Sequence, residues 1–317
     1  MKAFVFPGQG AQTVGMGKAL ADGFPEARAT FDEADAALGW PLSEVIFAGP
    51  ADRLTLTENT QPAILTVSVA AWRVLDARGF RPDVVAGHSL GEYSAHVAAG
   101  TLAFADAVRL VHHRGQYMQE AVPVGAGAMA AILGLDEDGV RAACEEAAEG
   151  EVVSPANLNA AGQVVIAGAA AAVARAGERA KARGAKRVIP LQVSAPFHCA
   201  LMAPAEARLA PELRAVPVHD PRVAVVANVD AEPKRDAAAA IDALIRQITA
   251  PVRWHASVRR LASDGVTAYV EVGPGTVLSG LIKKVAREAT VLNLEQPAGL
   301  AAIAALFGAG VATGNPT

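Results

Sequence analysis

The segment Gly87-His88-Ser89-Leu90-Gly91 restricts the possible fold of this chain more than any other feature of the sequence. It follows Val84-Val85-Ala86, an apolar run typical of a buried strand, and it leads into a predicted helix over residues 90–99. A G-x-S-x-G pattern between a strand and a helix is typical of a nucleophile elbow, whose sharp turn requires small neighbours. A glycine-rich turn with Ser89 as a simple helix N-cap is the alternative. We predict the elbow, with the N–H of Leu90 free to bind an oxyanion.

Strand and helix patterns alternate on both sides of this segment and again late in the chain. Such alternation favours a mostly parallel sheet that is covered by helices on both faces. The predicted strands are residues 2–6, 83–87, 222–227 and 267–272, and the predicted helices are residues 25–38, 62–78, 90–99, 105–120, 241–248, 252–263 and 277–287.

The middle of the chain departs from this rhythm. Here the predicted order is strand 129–135, helix 137–148, strands 152–158 and 163–167, helix 170–183 and strand 186–193. A β-α-β-β-α-β order is that of the ferredoxin-like split unit. We therefore predict a small subdomain over residues 124–195, inserted into a large catalytic α/β subdomain that comprises residues 1–123 and 196–317.

Composition excludes several classes of protein. Of 317 residues, 52% are hydrophobic and 19% charged, which provides a sizeable core and excludes wholesale disorder. The formal net charge of −4 argues against nucleic acid as the main partner, and two cysteines cannot form a disulfide framework.

The N-terminal apolar run is too short for a signal peptide, and the charge-free segment 297–317 is too rich in Ala and Gly to span a membrane. We expect a soluble cytoplasmic protein that ends in a buried helix and a frayed tail.

A nucleophilic serine requires a base, and the chain contains seven histidines. His198 follows the last predicted strand of the insert, and strand ends are where α/β sheets gather their sites. His198 is therefore the preferred candidate, but position alone does not exclude a purely structural histidine. The other six are His88, His96, His112, His113, His219 and His255.

The turn Gly8-Gln9-Gly10 after the first strand suggests a phosphate-binding loop, but the spacing is wrong. A dinucleotide fingerprint requires glycine where Thr13 stands, and no P-loop pattern is present. The histidines and cysteines also lack metal-ligand spacing, and Cys199 is expected to be a small buried residue. The sequence therefore predicts neither a metal nor a cofactor, and leaves a turn whose N–H groups are able to face an anion.

Several motifs in the same order resemble those of the bacterial malonyl-CoA:acyl carrier protein transacylase family, over nearly the whole length. This family loads malonyl groups for fatty acid synthesis, and it has a hydrolase-like large subdomain with a ferredoxin-like insert. The segments that carry the resemblance are residues 6–10, 57–63, 87–92, Arg114 with residues 118–121, Phe197-His198 and residues 271–275.

The resemblance implies a role for each matching residue. Ser89 would be the nucleophile and His198 the general base, while the backbone amides of Gln9 and Leu90 would form the oxyanion hole. Arg114 would bind the free carboxylate of the malonyl group. A guanidinium suits this task because its planar fork holds a carboxylate with two hydrogen bonds. On its own, an arginine on a helix is more often a surface residue.

Two further positions have implied roles. In the family a backbone carbonyl beside a Gln or Asn orients the histidine, and Gln247 is the matching residue. Phe197 precedes the histidine where related polyketide acyltransferases vary: an aromatic residue there accompanies malonyl, and a smaller residue accompanies methylmalonyl.

The implied substrates are malonyl-CoA and the phosphopantetheine thiol of acyl carrier protein, with no cofactor and with a monomeric enzyme. A standalone malonyl loader for polyketide synthesis or malonate decarboxylation would have the same active site. A serine esterase would explain Ser89 but not Arg114 or the insert. A non-catalytic docking subunit would make Ser89 an N-cap.

Carrier proteins are typically acidic, so a basic docking surface is expected, although solvated surface charge is an equally good explanation. We call the candidate residues the basic rim. They are Lys181, Arg183, Lys186 and Arg187 on the insert and Lys283, Lys284 and Arg287 on the late helix.

Overall fold

The computed structural model describes residues 1–308, which contain ten strands and fourteen α-helices. The strands are β1 Lys2–Phe6, β2 Val84–Gly87, β3 Gly127–Leu133, β4 Val153–Ala160, β5 Gln163–Ala169, β6 Arg187–Pro190, β7 Ala224–Val226, β8 Pro233–Lys234, β9 Ala268–Val272 and β10 Thr290–Leu294. The helices are α1 Lys18–Gly23, α2 Pro25–Leu38, α3 Leu42–Ala48, α4 Ala51–Thr55, α5 Thr57–Asp76, α6 Leu90–Ala99, α7 Phe104–Glu120, α8 Glu137–Ala147, α9 Ala170–Ala182, α10 Ala203–Ala215, α11 Ala237–Arg246, α12 Trp254–Ser263, α13 Val277–Val285 and α14 Leu300–Leu306.

The larger sheet has the strand order β10-β9-β1-β2-β7-β8, and all its pairs are parallel except β7–β8. Its central strands are mostly apolar and are buried except at Lys2, as expected when helices cover both faces of a parallel sheet. The carboxyl ends of β1, β2 and β7 lie side by side. Residues that follow these three strands therefore meet at one edge of the sheet.

The smaller sheet has the order β4-β5-β3-β6 and is antiparallel throughout. Helices α8 and α9 share an apolar core with it, which gives the ferredoxin-like arrangement. The predicted fold class, a mostly parallel sheet with an inserted ferredoxin-like unit, is confirmed. The exact limits of the insert, residues 124–195, stay a prediction.

Helix α5 differs from its prediction, because it begins at Thr57 and carries Pro62 in its second turn. Proline has no N–H, so the carbonyl of Glu58 loses its helical partner. His112 replaces it: its Nδ1 donates to the Glu58 carbonyl oxygen over 2.9 Å. Gly115 makes this approach of α7 possible, since a Cβ there would lie 2.6 Å from the Cα of Glu58.

At the C-terminus, α14 corresponds to the predicted buried helix, with Ile303 and Ala304 in the core. The frayed tail is predicted after this helix without a defined start, and residues 309–317 lie outside the described residues. Among the helices of residues 1–308, none is long and apolar enough to cross a membrane.

Candidate active site

Ser89 occupies the turn between β2 and α6 in a strained conformation, with φ of 51° and ψ of −109°. Glycine is required on both sides of it. A Cβ on Gly91 would lie 2.0 Å from the carbonyl oxygen of Phe6, and one on Gly87 would lie 2.0 Å from the carbonyl group of Gly91. The two glycines of the motif therefore let β1, β2 and α6 approach closely enough to form the elbow.

Asn228 holds this turn from the end of β7. Its Oδ1 accepts a hydrogen bond from the Ser89 N–H, and its Nδ2 donates to the Gly87 carbonyl, both over 2.7 Å. The two bonds bracket the strained residue and fix the serine backbone. Sequence reasoning missed Asn228, because only its position after a strand distinguishes it from any other asparagine.

His198 lies against the serine: its Nε2 is 2.7 Å from Ser89 Oγ. Its Nδ1 lies 2.9 Å from the backbone carbonyl oxygen of Gln247. Since a carbonyl only accepts, Nδ1 carries the proton and the lone pair of Nε2 faces the serine hydroxyl. Burial, together with the positive charge of Arg114, lowers the pKa of His198 to about 3. The imidazole is therefore neutral at pH 7, which is the form a general base requires.

Arg114 reaches the same point from α7, and only 2% of it is exposed. Its Nη2 donates to Ser89 Oγ over 3.2 Å and to Gln247 Oε1 over 2.9 Å, while Nη1 donates to Gln61 Oε1 over 2.6 Å. The guanidinium lies over the ring of Tyr93 at 5.5 Å. Its Nε has no hydrogen-bond partner within residues 1–308. A buried cation with a spare donor beside a nucleophile is suited to bind an anionic group of the substrate.

The predicted oxyanion donors, Gln9 and Leu90, both line the cavity above Ser89. Neither backbone N–H donates to another group in the described part of the chain. The Gln9 side chain is fixed by Thr57, whose hydroxyl donates to its Oε1 over 2.9 Å. Gly8 packs against the elbow, because a Cβ there would lie 2.4 Å from the carbonyl oxygen of His88. The first turn and the elbow therefore bring two free amides to one site.

A cavity of about 810 Å³ opens over the serine. The insert contributes one wall, including Met129 and Asn159, and α13 contributes Val277 and Leu281 to another. Phe197 is buried to 8% exposure and lies in the wall beside His198.

The remaining histidines are held elsewhere. His88 Nε2 pairs with Asn159 Oδ1 at 2.8 Å, so its ring points away from Ser89 as expected. His96 is buried in α6 and both its ring nitrogens lack partners within residues 1–308. His113 pairs with Glu212 on α10. Of the histidines, His198 is the one hydrogen-bonded to Ser89 in the described structure.

The sequence model of one protein family, the acyl transferase domain, matches residues 3–304 of this chain. The chain belongs to the acyl transferase domain family. Among its relatives in this family, the malonyl CoA-acyl carrier protein transacylase of Salmonella typhimurium is 55% identical over 301 residues, which cover 95% of this chain and 97% of the relative.

Solved structures from the family agree with the fold. The malonyl CoA-acyl carrier protein transacylase from Coxiella burnetii superimposes with a TM-score of 0.93 at 47% identity, covering 95% of this chain and 96% of that one. A malonyl-transacylase in complex with a type II PKS acyl-carrier protein has a TM-score of 0.93 at 48% identity, covering 97% and 99% of the two chains.

In an acyl transferase, the assembled groups are suited to act as a nucleophile, a neutral base, two oxyanion donors and a binding site for an anionic group. All seven residues predicted for the site lie around this one cavity or in direct contact with Ser89 and His198. Within residues 1–308, no cluster of three or more His, Cys, Asp or Glu side chains is arranged to hold a metal ion. The sequence analysis gave no role to three supporting residues, which are Gln61, Glu92 and Asn228, although the first two lie within the segments that carry the resemblance.

Proposed function

We propose that this acyltransferase moves the malonyl group from malonyl-CoA to the phosphopantetheine thiol of acyl carrier protein and so supplies fatty acid synthesis. The observation that carries the proposal is the buried guanidinium of Arg114, 3.2 Å from Ser89 Oγ. A neutral acyl group would leave this cation unpaired in the cavity, whereas the carboxylate of malonate neutralises it. The names of the relatives, which transfer malonyl groups, support the same substrate.

The first half-reaction forms an ester on Ser89. His198 Nε2 takes the hydroxyl proton while Oγ bonds to the thioester carbonyl carbon, and the resulting oxyanion is held by the N–H groups of Gln9 and Leu90. Collapse of this intermediate breaks the C–S bond. The imidazolium returns its proton to the departing sulfur, so coenzyme A leaves as the thiol and malonyl-serine remains.

The second half-reaction runs the same steps with a new thiol. The phosphopantetheine S–H gives its proton to His198 as the sulfur attacks the ester carbonyl. Collapse breaks the bond between the carbonyl carbon and Ser89 Oγ, and His198 returns the proton to that oxygen. The products are malonyl carrier protein and free enzyme, so the kinetics are ping-pong and no net proton is consumed.

Arg114 also affects the base. Its positive charge is one cause of the lowered pKa of His198. A malonyl carboxylate that pairs with Arg114 cancels this charge, which makes the imidazole more basic when the correct substrate is bound. Acetyl-CoA cannot produce this effect, so selectivity is expected in turnover as well as in binding.

Several finer assignments belong to the same proposal. Phe197 narrows the acyl site in favour of malonyl over methylmalonyl, and the carbonyl of Gln247 orients His198. The basic rim receives an acidic carrier protein, the enzyme acts as a monomer, and residues 124–195 form the inserted subdomain. A carrier protein of polyketide synthesis is the second candidate acceptor, because a solved relative is bound to one.

Incubation with malonyl-CoA, followed by mass spectrometry of the Ser89 peptide, tests the proposal. We expect a malonyl ester on Ser89 that transfers to a phosphopantetheinylated carrier protein and not to the apo carrier. Ser94→Ala is a matched control, because Ser94 is buried on the same helix and its Oγ has no partner within residues 1–308. Absence of the ester would support a docking subunit, and rapid release of free malonate without acceptor would support an esterase.

A further inference from the structure

Glu92 is a fully buried carboxyl group in the first turn of α6, directly behind the elbow. A glutamate three residues after an N-cap serine is typical of a capping box, in which it accepts from the N-cap N–H. That explanation fails here, because the Ser89 N–H donates to Asn228 and the Ser89 hydroxyl pairs with His198. Glu92 must therefore be accounted for by its own contacts.

Those contacts lie on one carboxyl oxygen. Oε2 accepts from Gln247 Nε2 over 2.8 Å and from the backbone N–H of Asn228 over 3.0 Å. Oε1 has no hydrogen-bond partner within residues 1–308. Burying a carboxyl group with one oxygen unpaired is costly, and burial accordingly raises the pKa of Glu92 to about 7. Oε2 remains an acceptor in both protonation states, since two N–H groups face it.

Gln247 is the residue on which Glu92 acts. The amide Nε2 donates to Glu92 Oε2 and, over 2.9 Å, to the Ser89 carbonyl, while the amide Oε1 accepts from Arg114 Nη2. An amide placed the other way round would turn its NH₂ group toward the guanidinium, where two donors would face each other. The acceptor oxygen of Glu92 therefore favours the orientation that holds Arg114.

We propose that Glu92 is a positioning residue that fixes the side-chain amide of Gln247 and thereby holds the Arg114 guanidinium beside Ser89. Selection of an acyl group that carries a carboxylate then depends on Glu92, although Glu92 does not touch the substrate. This inference rests on the proposed function, in which Arg114 binds the malonyl carboxylate.

The test compares Glu92→Met with Glu92→Gln, measuring kcat/KM for formation of the Ser89 ester from malonyl-CoA and from acetyl-CoA. Methionine fills the space but removes the acceptor, so the malonyl-to-acetyl ratio should fall about ten-fold or more. Glutamine keeps an acceptor oxygen and should stay within about three-fold of the wild type. Equal losses for both variants, or equal losses with both substrates, would overturn the proposal, because charge or general stability would then be responsible.

A double-mutant cycle shows whether Glu92 acts through Gln247. Gln247→Leu keeps the backbone carbonyl that holds His198 but has no amide to orient. In that background Glu92→Met should change the malonyl-to-acetyl ratio less than about two-fold. An undiminished effect there would contradict the proposed route.

Arg114→Ala, measured in parallel, separates the two proposals. If the wild type forms no malonyl ester, or Arg114→Ala keeps the wild-type ratio, the proposed function or its assignment to Arg114 fails. If Arg114→Ala loses selectivity while Glu92→Met keeps it, only the role of Glu92 fails.

Discussion

Arg114 at the floor of the cavity and Lys186 in the basic rim carry the same charge in contrasting surroundings. Arg114 is buried and donates to side chains from three separate parts of the chain. Lys186 is exposed and forms no ion pair within residues 1–308. Moving the buried charge would leave several partners unpaired, whereas an exposed charge is screened by salt and makes a small contribution. We therefore expect acyl transfer to depend on single residues at the floor of the cavity. Docking of the carrier protein should depend instead on the summed charge of the basic rim.

The largest effect is expected at the nucleophile. Ser89→Ala should abolish the acyl-enzyme and lower malonyl transfer by about three orders of magnitude or more, because it removes the atom that forms the ester. The hydrogen bonds of the Asn228 side chain involve only the backbones of Ser89 and Gly87, which the substitution leaves in place, so the variant should still fold. Mass spectrometry and a transfer assay measure the loss. An ester that accumulates on another residue would show that the nucleophile is misassigned.

The next largest effect is expected at Arg114, which lies at the floor of the cavity and should control selectivity for malonyl-CoA over acetyl-CoA. Hydrogen bonds to a charged group contribute about 1.5–3 kcal/mol each, and an unpaired buried carboxylate costs more. Arg114→Ala should therefore lower kcat/KM for malonyl-CoA by about 100-fold or more. For acetyl-CoA, kcat/KM should fall only slightly or should rise, because the substitution removes the charge that lowers the pKa of His198.

Arg114→Lys provides the control for this prediction. A lysine retains the charge but not the planar fork, so it should restore only part of the malonyl activity. The measured quantity is the malonyl-to-acetyl ratio across the three proteins. A constant ratio with falling rates would mean that Arg114 only supports the fold.

A third, smaller effect should appear in the pH profile of acylation. An ordinary histidine with a pKa of about 6.5 loses about ten-fold of its basic form between pH 8 and pH 5.5. The buried His198, with its pKa lowered to about 3, stays neutral across this range. The value of kcat/KM for acylation by malonyl-CoA, which reports the protonation state of the free enzyme, should therefore change less than about two-fold.

Glu92→Gln controls for the other group that titrates in this range, because burial raises the pKa of Glu92 to about 7. Both proteins should give the same flat profile. A ten-fold fall at pH 5.5 in both would show that His198 titrates normally and that burial does not govern the base.

Local sequence patterns predicted the elements around the elbow well. Helices α2 and α6 begin and end where their signals indicate: Pro25 suits a first turn, and Gly39 and Gly100 end their helices with φ of 74° and 81°. Helix α10 was missed, because Pro204 and Pro211 obscure its periodicity, and β10 was missed as a short run with no turn signal of its own. In both segments tertiary packing outweighs a weak local signal.

The site was predictable to a lesser extent, for a physical reason. The elbow is a local motif, so Ser89 could be identified from five consecutive residues. Position made His198 only the preferred candidate among seven histidines, and its role as the base was implied by the family resemblance. The fold places it beside the serine, 109 residues away in the sequence. The backbone N–H of Asn228 donates to Glu92, which is 136 residues away in the sequence. No local spacing of residues encodes such a contact. Only the topology of the sheet, which places the ends of β2 and β7 together, reveals them.

The smallest effect is expected at the basic rim, whose members differ in their surroundings. Lys181 pairs with Glu178, and Arg183 pairs with Glu146. Lys284 donates to Gln163, which links α13 to the insert over 2.7 Å. Lys186, Arg187, Lys283 and Arg287 are exposed and take part in no ion pair in the described structure, so they are the better candidates to attract an acidic carrier. Lys186 and Arg187 are adjacent in the sequence, which allows both charges to be reversed at one place.

Reversing both, as Lys186→Glu with Arg187→Glu, should raise KM for carrier protein about three- to ten-fold, because each exposed charge contributes under about 1 kcal/mol. Formation of the malonyl ester from malonyl-CoA should stay unchanged, and the rise in KM should shrink at high salt, where exposed charges are screened.

Arg81→Glu with Arg235→Glu is the matched control. It changes the net charge equally, but these residues are near the amino ends of β2 and β7, opposite the ends that carry Ser89 and Asn228. If the control raises KM as much, net charge rather than a defined surface attracts the carrier. If neither variant changes KM, Lys186 and Arg187 have no part in docking.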